Sequence, residues 1–155
     1  MIYSFIGQPG SGKTTLANHL KKCFEMLPNW KSYINKIIHI DGDDIREIFN
    51  NKDYSENGRR VNIQRAYDIA TFLNKKDYIV IISLVSPYID LREELKKNSD
   101  AIEIYVHTTD IRGKEKYHVL DFQKPIEKFI DIDTSNNSEY NSIYEILMND
   151  LYRKP

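Results

Sequence analysis

The sequence has little that would support a secreted, membrane-bound or nucleic-acid-binding protein. Its single cysteine, Cys23, excludes an internal disulfide and a zinc site built on a cysteine pair. No apolar run approaches the roughly 20 residues of a membrane-spanning helix, and the first residues lack the pattern of a signal peptide. The net charge of −1 gives no overall basic field to attract nucleic acid. These absences predict a cytoplasmic protein without nucleic-acid or membrane partners.

Short apolar runs alternate with amphipathic segments along the chain. Because 155 residues suit one hydrophobic core, we expect a single domain over residues 1–155. Buried strands are predicted at Met1–Ile6 and at the runs "KIIHIDGDD", "YIVIISLV", "AIEIYVHT" and "KFIDID". Apolar stripes predict helices at Leu16, Leu20, Cys23, Phe24 and Leu27 (ended by Pro28), at Ala66, Ile69, Ala70 and Leu73, and at Tyr140, Tyr144, Leu147 and Leu151. Strands that alternate with helices predict an α/β fold with a parallel sheet.

A glycine-rich segment follows the first apolar run. Residues 7–14, "GQPGSGKT", match G-x-x-x-x-G-K-[ST] in full, with a strand before them and an amphipathic helix after them. In this pattern, glycines let successive backbone N–H groups point at phosphate oxygens, and the positive end of the helix adds to their field. The pattern predicts a nucleoside triphosphate site that consists of Gly7, Gly10, Ser11, Gly12, Lys13, Thr14 and Thr15.

The last residues of this motif predict the cofactors. Lys13 would bridge the outer phosphates as a point charge, and the Thr14 hydroxyl would be a ligand of Mg²⁺. We therefore expect ATP and Mg²⁺. A glycine-rich turn that binds nothing is the alternative, and the length and context of the motif disfavour it.

A GTPase switch is another use of such a loop. The segment "NKKD", Asn74–Asp77, fits the N-K-x-D pattern that reads guanine. It precedes the run "YIVIISLV" instead of following a late strand, so a charged turn between a helix and a strand explains it better. No D-x-x-G stands where a γ-phosphate sensor is needed. The sequence therefore favours a kinase.

Acidic residues follow the second apolar run. In "HIDGDDIR", Asp41 and Asp43 come just beyond the end of a predicted strand, and ligands of open α/β sheets bind outside those ends. A carboxylate there can orient an attacking hydroxyl, hold water on a metal, or cap the next helix. The two acids therefore predict a second ligand site beside the phosphate site.

A group of arginines comes next. Arg59, Asn62 and Arg65 are spaced at i, i+3 and i+6, and Tyr54 precedes them. Arginines beside an aromatic ring suit an acceptor that combines an acidic group with a flat base. A solvated helix surface is the alternative interpretation.

Four motifs in order make the chain resemble the adenylylsulfate kinases, which phosphorylate the ribose 3′-hydroxyl of adenosine 5′-phosphosulfate with MgATP. G-x-x-G-S-G-K-[ST]-T matches Gly7–Thr15, and D-G-D-x-x-R matches Asp41–Arg46. F-S-x-x-D-R-x-x-N-I-x-R aligns with Tyr54–Arg65, and I-S-P-Y-R-x-x-R aligns with Val85–Arg92. The resemblance extends through about Arg92. It implies the P-loop NTPase fold, with five parallel strands in the order 2-3-1-4-5 and helices on both faces.

The resemblance also implies residue roles. Lys13, Asp41 and Asp43 would be catalytic: Asp43 would orient or deprotonate the acceptor hydroxyl, and Asp41 would help around the metal. Tyr54 stands at a phenylalanine position of the family and would stack on the acceptor base. The rest of the acceptor pocket would consist of Arg46, Arg59 and Asn62, which would hold the 5′ group, and of Ser86, Pro87 and Tyr88.

The chain departs from the family where other members carry a long basic lid. Only "DIRGKEKYHVLDFQKP" lies between the fourth and fifth predicted strands, and Arg112–Lys114 keep a trace of the family's R-D-x-K-G-L-Y. Ile89 replaces the arginine that follows S-P-Y. The F-T-G element, which supplies a second stacking ring, is missing. The candidates for its replacement are Tyr117, His118 and Phe122, and a plain surface histidine is the default interpretation of His118.

The short lid is similar to that of a family branch found in bacterial capsule gene clusters, whose members phosphorylate the 3′-hydroxyl of cytidine 5′-diphosphoramidate. This similarity favours that acceptor over adenylylsulfate, which stays the first alternative. A non-catalytic regulatory nucleotide-binding protein and an ordinary small-metabolite kinase also stay open. The expected partner is a small nucleotide substrate, and the sequence leaves the formation of a homodimer open.

Overall fold

A five-stranded parallel sheet forms the centre of the protein, in a computed structural model that describes residues 1–26, 36–136 and 141–147. The order of the strands across the sheet is β2-β3-β1-β4-β5, which confirms the expected order. The strands are β1 (Ile2–Ile6), β2 (Ile37–Asp41), β3 (Ile79–Ser83), β4 (Ala101–His107) and β5 (Phe129–Asp133).

Helices cover both faces of the sheet, as expected. They are α1 (Lys13–Met26), α2 (Gly42–Ile48), α3 (Glu56–Asn74), α4 (Ile89–Asn98) and α5 (residues 141–147). Helices α1 and α5 pack on one face, whereas α3 and α4 pack on the other. Within the described ranges, no helix is both long and apolar enough to cross a bilayer.

The core is built around β1, all five residues of which are buried. On the α1 side, Tyr3 and Phe5 contribute to a cluster with Leu16, Leu20 and Phe24, as the predicted stripe requires. Cys23 is only partly buried at the edge of this cluster. Two residues of the first-helix prediction lie outside the described residues, Leu27 and Pro28.

The stripe predicted for the last helix is wrong in part. Tyr144 is 58% exposed, whereas Ile143 and Ile146 are buried in the α1-side cluster. Both isoleucine side chains are fully apolar, so their burial stabilises the fold more than burial of a tyrosine, whose hydroxyl is better left in water. Leu147 is partly buried against the same cluster, as predicted. The other two members of the predicted stripe lie outside the described residues, Tyr140 and Leu151.

Strand β2 is less buried than predicted. It lies at the edge of the sheet, and only Ile37 and Ile40 are buried, whereas Ile38, His39 and Asp41 are half-buried. An apolar run cannot by itself distinguish an edge strand from a central one, because both are rich in isoleucine and valine.

The segment Asn74–Asp77 forms a turn between α3 and β3. The N-terminal amine of Met1 donates a hydrogen bond to the side-chain oxygen of Asn74. Because Met1 precedes β1 and Gly7 follows it, this turn lies at the opposite end of the sheet from the glycine-rich loop. The position agrees with a charged turn and does not suit a guanine-binding loop.

A buried ion pair lies beneath α4. The side chains of Arg92 and Glu103 are 2% and 3% exposed, and Nε of Arg92 lies 2.6 Å from Oε1 of Glu103. The Arg92 guanidinium also donates to the carbonyl oxygens of Ser86 (2.8 Å) and Gln123 (2.7 Å). Lys96 lies 2.9 Å from the other oxygen of Glu103. Arg92 thereby connects β4, the loop after β3 and the segment that precedes β5.

Candidate active site

Three loops meet at the carboxyl end of the sheet. Residues 7–14, called the P-loop below, follow β1, while Asp41 ends β2 and residues 84–88 follow β3. The backbone N–H of Gly7 donates to the carbonyl oxygen of Val85 at 3.3 Å, so the first and third loops are directly connected. The predicted triphosphate and acceptor sites therefore lie on the same edge of the sheet.

The P-loop passes unusually close to the end of β4. Gly7 has a φ of +143°, and a Cβ atom built on it would lie 2.1 Å from the carbonyl oxygen of Val106. Both the dihedral angle and the lack of space require glycine here. The loop then leads into α1, whose first turn contains Lys13 and Thr14.

Lys13 is a buried cation with few protein partners. Its residue is 8% exposed, and Nζ donates one hydrogen bond, to the carbonyl oxygen of Gln8 at 2.8 Å. Burial lowers its pKa to about 8, although the neighbouring carboxylates of Asp41 and Asp43 act to raise it. Among the described residues no carboxylate forms an ion pair with Nζ. An ammonium group with unused donors in such a place suits a polyanionic ligand.

Asp41 accepts hydrogen bonds at both of its carboxylate oxygens. The Thr14 hydroxyl donates to Oδ2 at 2.8 Å and the Ser83 hydroxyl at 2.7 Å, while the backbone N–H of Asp43 donates to Oδ1 at 3.0 Å and so caps α2. Burial raises the pKa of Asp41, but these hydrogen bonds outweigh it and leave the pKa below its ordinary value. Asp41 is therefore a fixed, ionised acceptor.

Thr14 and Asp41 fit a magnesium ion. Because the Thr14 hydroxyl gives its hydrogen to Asp41, its lone pairs remain for a cation. The described residues contain no group of three or more His, Cys, Asp or Glu side chains arranged to hold a metal. At nucleotide sites, Mg²⁺ is commonly held by one or two protein oxygens together with phosphate oxygens and water. The residues present suit an ion of that kind, which enters with a triphosphate.

The sequence interpretation missed the residues behind Asp41. The Nε2 atom of His39 lies 2.8 Å from the Ser83 hydroxyl, and Nδ1 lies 3.1 Å from the side-chain amide of Asn18 on α1. Burial lowers the pKa of His39, although Asp41 acts against this. One signal was available: His39 and Asp41 are two positions apart on a strand and therefore share a face.

Arg46 and Tyr54 lie against each other. The Arg46 guanidinium carbon is 4.1 Å from the centre of the Tyr54 ring, and Nη1 donates to the carbonyl oxygens of Asn51 (3.2 Å) and Asp53 (2.8 Å). Tyr54 is 63% exposed. Arg46 thus orders the connection between α2 and α3 and leaves one face of an aromatic ring available.

The residues on α3 take different positions. Asn62 is buried, and its amide nitrogen donates to the carbonyl oxygen of Gly42 at 3.1 Å, whereas its side-chain oxygen has no partner among the described residues. Arg59 is half-buried and makes no side-chain hydrogen bond or ion pair within the described ranges. Arg65 stacks on Phe49 at 4.4 Å. Arg59 and Asn62 therefore keep unused polar groups, whereas Arg65 packs against the protein.

The loop after β3 is buried. The hydroxyl groups of Ser86 and Tyr67 lie 2.6 Å apart, and Pro87 is also buried. The ring of Tyr88 lies under the guanidinium of Arg60 at 4.2 Å, and its buried hydroxyl has no partner in the described part of the chain. Ser86 thus forms internal contacts, while Tyr88 retains an unused polar atom.

The short connection between β4 and β5 lies on the P-loop. The side chain of Gln8 exchanges two hydrogen bonds with the backbone of Val119, at 2.7 and 2.8 Å. Arg112 donates to the carbonyl oxygens of Gly10 (3.3 Å) and Thr134 (2.9 Å). The sequence interpretation saw only a trace of the family lid here, because attachment through backbone atoms leaves no residue pattern.

The three candidates for the missing lid ring lie in different places. Phe122 stacks on Tyr105 at 5.9 Å, away from the Asp41 side of the P-loop. Nε2 of His118 lies 3.2 Å from the carbonyl oxygen of Pro9. Tyr117 is 57% exposed. Of the three rings, Phe122 is occupied by packing, whereas Tyr117 and His118 are both exposed.

Comparison with known proteins identifies the family. A family model described as "Adenylylsulphate kinase" matches residues 1–124. The chain belongs to the adenylylsulphate kinase family. The adenylyl-sulfate kinase of Burkholderia ambifaria is 31% identical over 134 residues, which make up 81% of this chain and 71% of that protein. The cytidine diphosphoramidate kinase of Campylobacter jejuni is 29% identical over 132 residues, 82% of this chain and 74% of that protein.

Several relatives are considerably longer than the region that matches this chain. The matched region spans 16% to 71% of the length of five curated relatives, and about half the length of three of them. Among solved structures, the Mycobacterium tuberculosis APS kinase CysC in complex with AMPPNP and APS superposes with a TM-score of 0.78 at 19% identity, covering 99% of this chain and 97% of that one. This similarity confirms the P-loop NTPase fold.

Proposed function

We propose that this family member is an ATP-dependent, Mg²⁺-requiring kinase, formed by one domain, that phosphorylates the ribose 3′-hydroxyl of a 5′-activated nucleotide. The observation that carries the proposal is the environment of Lys13. Within the described part of the chain, its buried ammonium makes one hydrogen bond to the protein, and it lies in the field of both Asp41 and Asp43. The predicted phosphate cradle and the predicted acceptor acids therefore meet around one cation.

The proposed reaction is an in-line displacement. The acceptor oxygen attacks the γ-phosphorus of ATP, the bond from that phosphorus to the β–γ bridging oxygen breaks, and ADP leaves. Asp43 is exposed at the start of α2, so it can accept the hydroxyl proton and release it to solvent. Because the transition state is loose, orientation of the hydroxyl contributes more than its full deprotonation. Lys13 holds the outer phosphates during the transfer.

Thr14 and Asp41 would hold Mg²⁺ at this site. When bound, the ion would neutralise charge on the β- and γ-phosphates. Asp41 keeps the Thr14 hydroxyl turned so that its lone pairs face away from the carboxylate. The other loop residues, including the exposed Thr15, would contribute backbone N–H groups to the phosphates.

Three groups support a nucleotide as the acceptor. The exposed ring of Tyr54, backed by Arg46, offers a stacking surface for a base. Arg59 has a guanidinium without an anionic partner in the described residues, which suits a phosphate. The buried oxygen of Asn62 finds no donor among the described residues, and a ligand hydroxyl or amine can supply one.

For the acceptor itself we propose cytidine 5′-diphosphoramidate, with adenylylsulfate as the alternative. The short connection that lies on Gln8, and the similarity to the Campylobacter jejuni enzyme over 82% of the chain, support the first. The family description and the similarity to the Burkholderia ambifaria enzyme support the second. The absence of the family's F-T-G element favours a smaller base, because a pyrimidine offers less ring surface than a purine for a second stacking ring to cover.

An acceptor screen tests the proposal. ADP formation is measured with cytidine 5′-diphosphoramidate, adenosine 5′-phosphosulfate and unmodified nucleotides, and the new phosphate is located on the sugar by phosphorus–proton NMR. The Lys13→Ala variant serves as the blank, because it should abolish transfer while contaminating ATPases persist. Turnover on one activated nucleotide at the 3′ position is expected. Full activity of Lys13→Ala, or the absence of transfer to every nucleotide, would refute the proposal.

A further inference from the structure

Five hydrogen-bonded side chains connect α1 with β2 and β3; we call them the polar ring. The ring runs from Thr14 through Asp41, Ser83 and His39 to Asn18, with successive polar atoms 2.8, 2.7, 2.8 and 3.1 Å apart. Thr14 and Asn18 are four positions apart on α1 and share a face. Ser83 lies opposite Asp41 in the parallel register of the sheet. The fold itself therefore closes the polar ring beside the P-loop.

Chemistry fixes the direction of the hydrogen bonds that Asp41 and Ser83 make in the polar ring. An ionised carboxylate only accepts, so the Ser83 hydroxyl must donate to Asp41. Ser83 then has only lone pairs left for His39, so Nε2 of His39 carries the hydrogen that points at Ser83. In the neutral ring Nδ1 is an acceptor, and a half-turn of the Asn18 amide brings its NH₂ end to that atom. His39 is thus the only nitrogen donor that faces Ser83 in the polar ring.

We propose that His39 is a positioning residue, which acts through Ser83 and Asp41 to orient the Thr14 hydroxyl toward a phosphate-bound cation. The inference rests on the proposed function of this site. His39 contacts Ser83 and Asn18, and it reaches the Thr14 hydroxyl through Ser83 and Asp41. Its contribution is to keep the Ser83 hydroxyl, and through Asp41 the Thr14 hydroxyl, in one orientation.

The physical reason is the freedom of a serine hydroxyl. Such a group rotates to suit its neighbours, and it can either donate to Asp41 or turn its hydrogen elsewhere. A histidine N–H that occupies one of its lone pairs leaves Asp41 as the favourable direction for the hydrogen. Asp41 then keeps both of its Oδ2 donors, and the Thr14 lone pairs stay in one orientation. Without His39, the hydroxyl and the carboxylate can relax together.

Substitutions at two members of the polar ring test this inference. His39→Leu removes the N–H donor to Ser83, and Ser83→Ala removes the hydroxyl that connects His39 with Asp41. His39→Gln restores an N–H donor at a similar reach. We expect His39→Leu and Ser83→Ala each to lower kcat about fivefold and to raise the KM for MgATP by a similar factor, and His39→Gln to stay within about twofold of the parent. The double variant His39→Leu/Ser83→Ala should be no worse than the worse single variant, because both interrupt one path.

Binding provides a readout that needs no acceptor. The dissociation constant of a non-hydrolysable ATP analogue is measured once with Mg²⁺ and once with EDTA. The constant in EDTA divided by the constant in Mg²⁺, called the Mg²⁺ ratio below, is the gain in affinity that the metal provides. His39→Leu and Ser83→Ala should reduce that ratio about fivefold, with metal-free affinity unchanged. If the parent failed to phosphorylate any nucleotide, the proposed function would fail, yet this ratio would still decide the role of His39.

His107 provides a matched control. It is also a half-buried histidine on a strand of the same sheet, and its partner is Asp131 at 3.2 Å. His107→Leu should leave kcat and the Mg²⁺ ratio unchanged. The inference is overturned if His39→Leu matches the parent in both measurements, if His39→Gln loses as much as His39→Leu, or if the two single effects add. If His39→Leu does not fold, Ser83→Ala and His39→Gln carry the test alone.

Discussion

Removal of Arg92 should destabilise the protein strongly, although it does not face the proposed ligands. Arg92→Met leaves the buried Glu103 with Lys96 as its one remaining cationic partner among the described residues, and it deprives the carbonyl oxygens of Ser86 and Gln123 of their donors. Loss of one partner from a buried ion pair costs about 3–5 kcal/mol. Because Lys96 still compensates Glu103, we take the lower end, about 3 kcal/mol. This is a large share of the roughly 5–15 kcal/mol that stabilises a typical domain.

The measurement is thermal and urea unfolding followed by circular dichroism. For a chain of this size, about 3 kcal/mol corresponds to a decrease in Tm of about 6–12 °C. The matched control is Arg60→Met, since Arg60 also pairs with carboxylates, those of Asp90 at 2.7 Å and Glu56 at 2.9 Å, but all three side chains are substantially exposed. An exposed pair contributes below about 1 kcal/mol, so this variant should lose less than about 4 °C.

A double variant distinguishes an ion-pair effect from lost packing. Arg92→Met/Glu103→Met removes both charges, and Lys96 keeps its second partner, Glu93. We expect its free energy of unfolding to exceed the additive value by at least about 1 kcal/mol, because no unpaired carboxylate remains in the core. The reasoning is refuted if Arg92→Met costs no more than Arg60→Met, or if the two single costs simply add.

Three further predictions concern the proposed active site. Asp43→Asn should lower kcat far more than it weakens ATP binding; equal losses would assign Asp43 to the metal or the fold. Gly7→Ala should weaken ATP binding and lower Tm, because its Cβ would meet the Val106 carbonyl at 2.1 Å, and a parent-like melting curve would contradict this. Because burial holds the pKa of Lys13 at about 8 and bound phosphates favour its charged form, ATP affinity should fall as pH rises from about 8 to 10, and calorimetry at pH 9 should show proton uptake. An affinity that is constant over that interval would contradict the assigned environment.

The sequence predicted the architecture well because local patterns carry it. Apolar runs and a helical stripe located β1 and α1, and the family resemblance supplied the strand order that pairs them. The face of the last helix was mispredicted, because Tyr144 and Ile143 offer competing stripes and only the neighbouring cluster selects one. The burial of β2 was overestimated, because position within a sheet depends on long-range pairing.

The site was predictable where a motif is contiguous. The P-loop and Asp41 could be found by spacing, whereas Ser83 joins Asp41 only through the register of two strands 42 residues apart. Asn18 on α1 contacts His39 on β2, and no local sequence pattern predicts a contact between residues so far apart in the chain. The sequence also did not show that Arg92 is committed to a buried pair, because a family position says nothing about which way a side chain points.

The attachment of Gln8 to Val119 affects how the connection after β4 can vary. The side-chain amide of Gln8 takes the place of a neighbouring peptide group, so the contact depends on the main-chain atoms of residue 119. Any residue except proline, which lacks the N–H, can therefore make this contact at position 119. The flanking Tyr117 and Leu120 are exposed and are not held by this pair. Related chains can therefore change the residues on either side of position 119 without altering the phosphate cradle.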